Sequence, residues 1–131
     1  MLRTIFVLLL IAAQFAPSAA VAQAKPVYLA VGDSLTVGLY AASDTPGAWH
    51  GFAYMVAQAL PQYQLEIAAV TGDGIDNTIA QLPLELADHM PAFVTVEVGI
   101  NNLGNMDAKT FTTRYVQLLY MLKRFGVKYV T

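Results

Sequence analysis

Val27-Tyr28-Leu29-Ala30-Val31-Gly32-Asp33-Ser34-Leu35-Thr36-Val37-Gly38 is the stretch on which the reading of the fold turns. Residues 27–31 are an unbroken apolar run closed by glycine, which predicts a strand buried on both faces. The small polar turn after it, Gly32-Asp33-Ser34, is the chemistry of a strand handing over to a helix.

Two later stretches are built the same way. Residues 64–70 read as a second strand and run into Thr71-Gly72-Asp73-Gly74. Pro91 introduces residues 93–98, a third strand rich in β-branched side chains, which runs into Gly99-Ile100-Asn101-Asn102. Helical patterns separate these strands. Phe52, Met55, Val56, Ala59 and Leu60 recur at helical spacing within residues 48–60, after the loop Ser43-Asp44-Thr45-Pro46-Gly47. Ile75, Ile79, Leu82 and Leu86 mark the inner face of a second helix, which Pro83 is expected to kink or divide. Asp107 stands where an N-cap belongs, before a stripe of Phe111, Tyr115, Leu118, Leu119, Leu122 and Phe125, and Gly126 fits the C′ position. Residues 127–131 begin a fourth strand. Strand and helix alternating in this way predict an α/β domain, a parallel sheet with helices on both faces.

The chain has 131 residues, 56% hydrophobic and 12% charged, with formal net charge −2. That length holds one domain at most. The composition suits a packed core and excludes a disordered chain. A slightly acidic balance offers no electrostatic footprint for nucleic acid. The absence of cysteine removes disulfides, thiolate metal sites and a thiol nucleophile. Residues 1–24 read as an export signal: Arg3, an apolar run over residues 5–13, then small residues ending in Ala22-Gln23-Ala24. The apolar run falls short of the roughly 20 residues a spanning helix needs, so no stable membrane span is expected after cleavage. Residues 25–131 would then be the domain, periplasmic or secreted. A domain seldom ends on a strand bound for a sheet, so it is expected to be the first part of a longer one.

In a parallel sheet, ligands bind beyond the carboxyl ends of the strands. Each of the three polar turns is an ordinary connector by itself. Together on one rim they offer a hydroxyl, backbone N–H groups freed by glycine, and a side-chain amide. Those are the parts of a serine nucleophile with an oxyanion hole.

Gly32-Asp33-Ser34-Leu35-Thr36, within the longer run VGDSLTVG of residues 31–38, resembles the first block of the SGNH/GDSL hydrolase family. Gly72 stands where that family has its second-block glycine. Gly99-Ile100-Asn101-Asn102 is similar to its third block, glycine-x-asparagine-aspartate. The resemblance covers residues 26–131. It implies a three-layer α/β/α domain with a flavodoxin-like sheet, working without metal or other cofactor on small-molecule esters of lipids, aryl alcohols, thiols or acetylated sugars. It implies Ser34 as nucleophile, and the Ser34 N–H, the Gly72 N–H and the Asn101 amide as oxyanion donors. Asp33, Asn102, Tyr40 and Trp49 are expected on the substrate side, with Phe52 either beside the two aromatics or in the core beneath them. Asp33, Asp73 and Asp76 are also expected to shape their loops by local hydrogen bonds.

The sequence departs from the family pattern in several places. Asn102 replaces the usual aspartate, although its amide oxygen still accepts a hydrogen bond. Ile67 and Thr71 stand where asparagine and serine are common. The largest departure concerns the base. A serine hydroxyl needs a partner to take its proton, and the family supplies it from a C-terminal aspartate-x-x-histidine. His50 and His89 have Gly47 and Leu86 three residues before them, so neither fits. Two readings follow: the N-terminal portion of an exported serine esterase, or a catalytically inactive, ligand-binding remnant of that fold. A doubly wound domain of another kind is disfavoured, because no glycine-rich phosphate fingerprint is present.

Overall fold

The computed structural model of the chain describes residues 24–38, 51–127 and 129–130. The apolar run at the start becomes strand β1 (Val27–Gly32). After it come α1 (Ser34–Val37), α2 (Phe52–Ala59), β2 (Gln64–Ala69), α3 (Ile75–His89), β3 (Phe93–Glu97), a 3₁₀ turn (Ile100–Asn102), α4 (Ala108–Arg124) and β4 (Tyr129–Val130). The strands pair in parallel in the order β2-β1-β3-β4. The pairing is parallel as the alternation predicts, and the order is the beginning of the flavodoxin-like one that the resemblance implies.

β1 is interior because both of its faces are apolar. Successive side chains point to opposite sides of a strand. Tyr28 and Ala30 meet Ala53, Phe52 and Val56 of α2 on one face. Leu29 and Val31 meet Leu82 and Leu86 of α3 and Leu118 and Leu122 of α4 on the other. Helix, sheet and helix make the three layers. The Tyr28 hydroxyl, carried into the interior, is satisfied by the Thr95 hydroxyl at 2.9 Å. Burial pushes its pKa up, and the Thr95 hydrogen bond opposes the shift only in part.

Two sequence expectations are corrected. Pro83 does not divide α3, which runs through it unbroken. Leu82 and Leu86, on either side of the proline, are almost wholly buried. Two leucines contribute about 1.5–3 kcal/mol each, which outweighs the roughly 3 kcal/mol a mid-helix proline costs. Leu119 on α4 and Phe125 at its C-cap are exposed, at 39% and 49%, so the fully buried part of the stripe narrows to Leu118 and Leu122. Of the two readings open for Phe52, the core one holds, since it packs against Tyr28 and Ala30. The caps of α4 are as expected. Asp107 accepts from the Thr110 N–H at 2.9 Å and from its hydroxyl at 2.7 Å. Gly126, at φ +79°, follows the last turn.

The register places the site. Gly32 lies opposite Ala69 in β2 and Glu97 in β3, so the three strands finish level. Their three loops therefore leave from one rim.

Candidate active site

Ser34 opens α1 and is half-buried. Asp33 caps that helix, its Oδ1 accepting from the Leu35 N–H at 3.0 Å. The turn is pressed tightly against the end of β3. A Cβ at position 32 would overlap both the Thr36 Oγ1 and the Glu97 backbone carbonyl, so only glycine fits. Among the described residues, nothing hydrogen-bonds the Ser34 hydroxyl.

The second loop is tied to β1 by the Val70 N–H, which donates to the Gly32 carbonyl at 3.3 Å. Gly72 turns the chain at φ +88°, is exposed, and has no atom within 4 Å of where a side chain would begin. That open backbone is what a substrate oxygen needs in order to approach an N–H. Asp73 faces α3, accepting from Asn77 and Gln81 at 3.0 Å each. Asp76 pairs with Arg114 of α4 at 2.8 Å.

The third loop joins the other two. The Asn101 amide donates to Asp33 Oδ2 at 3.1 Å and to the Asp73 backbone carbonyl at 2.9 Å. Asn102 Oδ1 accepts from the Ile75 N–H, in the first turn of α3, at 2.9 Å. The amide oxygen thus fills the acceptor role expected of it despite the missing aspartate.

The structure brings Asp33, Ser34, Gly72, Asn101 and Asn102 to one rim. It corrects the part expected of Asp33, whose side chain is fully buried and serves the scaffold instead of facing a substrate. Tyr40, Trp49 and His50, like residues 1–23 of the expected export signal, lie outside the described residues. His89 ends α3 beside Glu85, 3.4 Å away. Nearby, the Ala92 N–H bonds the Val27 carbonyl at the opposite end of β1. A strand of that length spans about 20 Å, too far for His89 to reach Ser34.

Sequence reasoning misses two features. An open cavity of about 570 Å³ beside Leu35 is walled by Ile100, Leu103, Met106 and Phe111. Phe111 belongs to the stripe of α4, but the exposed apolar residues of the loop before it carry no periodicity that announces them. The second feature is the pair of Glu97 and Thr36, whose hydroxyl donates to Glu97 Oε2 at 3.4 Å. A lone carboxylate closing the β-branched run of β3 is the one signal that could have found it.

The sequence profile of the GDSL-like lipase/acylhydrolase family matches residues 30–130. No curated protein matches the chain. Several solved structures share the fold. The chain is 24% identical to TesA, with TM-score 0.62, over 79% of this chain and 58% of that one. It is 19% identical to the psychrotrophic esterase EstA from Pseudoalteromonas sp., inhibited there by monoethylphosphonate, with TM-score 0.64, over 79% and 57%. It is 20% identical to AlinE4, an SGNH-hydrolase family esterase, with TM-score 0.66, over 82% and 59%. The chain therefore spans less than two thirds of the length of each of these proteins. The profile match takes in all three loops of the rim, and the chain belongs to the GDSL-like lipase/acylhydrolase family.

Proposed function

We propose that the chain carries the nucleophile and the oxyanion site of an exported serine ester hydrolase. The observation that carries this reading is the bridge made by Asn101, whose one amide draws the Ser34 turn and the Gly72 loop together. Ser34 Oγ attacks the ester carbonyl as its proton passes to a base. The negative charge that develops on the carbonyl oxygen meets the Ser34 N–H, the Gly72 N–H and the Asn101 amide. The alcohol departs with the proton, leaving an acyl group on Ser34 that water then removes. Asn101 serves two scaffold acceptors in this structure, so it shares or exchanges one of those bonds as the oxyanion forms. Hydrogen bonds at such sites commonly tighten only in the complex.

His89 is at the wrong end of the sheet, and this reading takes the base from an aspartate-x-x-histidine outside residues 1–131. Its substrate is a small-molecule ester, with an apolar acyl or alkyl part suited to the cavity beside Leu35.

The test compares p-nitrophenyl ester hydrolysis by residues 25–131 with hydrolysis by the complete gene product. Loss of the base from a serine triad leaves only about 10³–10⁴ over water, so the shorter chain should barely exceed background. In the complete product, Asn101→Ala should lower kcat by about 10²–10³. Turnover that survives Ser34→Ala in the complete product would contradict the proposal. A complete product with no turnover at all would favour a ligand-binding remnant.

A further inference from the structure

Glu97 has no part in that reaction, yet it is set into the middle of the rim. It closes a strand otherwise made of phenylalanine, valine and threonine, a costly place for a carboxyl group without a partner. Its partners come from the nucleophile turn. The parallel register puts it opposite Gly32, one residue before Asp33, and Thr36 donates to its Oε2 at 3.4 Å. Asp33 is fully buried. Its two oxygens hold the Leu35 N–H at 3.0 Å and the Asn101 amide at 3.1 Å.

We propose that Glu97 is a positioning residue: its carboxyl group hydrogen-bonds the Asp33 carboxylate, and through Asp33 it fixes the orientation of the Asn101 amide and of the turn that carries Ser34. The proposal rests on the reading of Ser34 and Asn101 given above. Two neighbouring carboxyl groups, one of them fully buried, cannot both ionise at little cost. One of them keeps the proton and donates it to the other. Burial first, then the Asp33 charge and the carboxyl–carboxyl hydrogen bond, push the Glu97 pKa above its ordinary 4.5, with the Thr36 hydroxyl opposing. Glu97 is accordingly the donor. The Asp33 oxygens accept from the Leu35 N–H and the Asn101 amide.

The surroundings reinforce this assignment. The cavity wall beside Glu97 has no other ionisable group among its described residues. The nearest acid on the second loop, Asp73, turns its carboxylate to Asn77 and Gln81 on α3 and offers the site only its backbone carbonyl. Within the described residues, Asp33 is thus the charged group that faces Glu97. Gly32 completes the device, since a side chain there would drive Thr36 off the carboxyl group.

The experiment follows the side-chain amide resonances of Asn101 through pH in the ¹⁵N-labelled chain, so it needs no turnover. In the wild type these resonances should shift with a midpoint above the ordinary glutamate range, as Glu97 loses its proton and the two charges repel. Glu97→Gln keeps a donor for Asp33 at every pH. It should hold the resonances at their low-pH wild-type position and abolish the titration. Glu97→Ala should displace them at all pH values; if it does not fold, the glutamine variant decides alone. A titration unchanged in Glu97→Gln, or a wild-type Asn101 amide indifferent to pH, overturns the proposal. In the complete gene product, Glu97→Gln should keep kcat within about threefold, while Glu97→Ala lowers it on the order of 10–100-fold by misplacing the oxyanion donor. Absence of ester turnover there, with the amide titration intact, would count against the reading of function and not against this one.

Discussion

Asn101 and Asn102 are neighbours with opposite uses. Asn101 donates with its amide hydrogens, to Asp33 and to the Asp73 backbone carbonyl. Asn102 accepts with its oxygen and holds the start of α3 through the Ile75 N–H. A carboxylate in place of Asn102 would strengthen that bond, because an anion near a helix N-terminus gains about 0.3–1 kcal/mol from the exposed N–H groups. Asn102→Asp should therefore raise stability by roughly that amount in urea titration. It should leave the Asn101 geometry intact. A loss of stability would mean that the Asn102 NH₂ group, packed over Gly74, matters more than its oxygen. The parts legible in the sequence at this scale are those of the polar turns, where Gly32, Gly72, Asn101 and Asn102 fall at the ends of three successive strands. Glu97 escapes such a reading because its partner is far away in sequence, and only the register of β1 against β3 brings the two together.

At the scale of elements, apolar runs closed by glycine or introduced by proline state their own limits, and the strands follow them to within a residue or so. Helix α3 does not follow its local signal. Pro83 removes a backbone donor, but Leu82 and Leu86 hold the helix to the sheet on both sides of it. Local propensity and tertiary burial disagree, and burial prevails. Pro83→Ala should restore the missing backbone bond and raise stability by about 1–3 kcal/mol, measured as a shift in the denaturant midpoint. Helix α4 gives a pH test of the opposite kind. The Thr110 side chain and then its backbone N–H hold the Asp107 pKa below its ordinary 3.8. A depressed carboxylate contributes stability that is present above its unfolded value and is lost as pH falls through the lower folded value. The difference in Tm between wild type and Asp107→Ala should be full at neutral pH and should close as the pH falls below 3.8. A difference constant down to the acid limit would show that the cap acts through packing and not through charge.

At the scale of the whole molecule, the order β2-β1-β3-β4 and the level ends of the strands assemble the rim. Three loops, far apart in sequence, open at one height because parallel strands in register share a carboxyl edge. The alternation of strand and helix makes this architecture legible in the sequence itself, and the three polar turns make the rim legible with it. The apolar cavity wall is not, since Leu35 of α1 converges with Ile100, Leu103 and Met106 of the third loop with no shared period. If the rim is an esterase site, one hydroxyl on it must be the reactive one. Treatment of the complete gene product with a fluorophosphonate, followed by peptide mass spectrometry, asks this directly. The expected result is a single phosphonylated peptide, carrying the label on Ser34 and absent in Ser34→Ala. A label on another residue, or ester hydrolysis that proceeds while Ser34 stays unmodified, would contradict it.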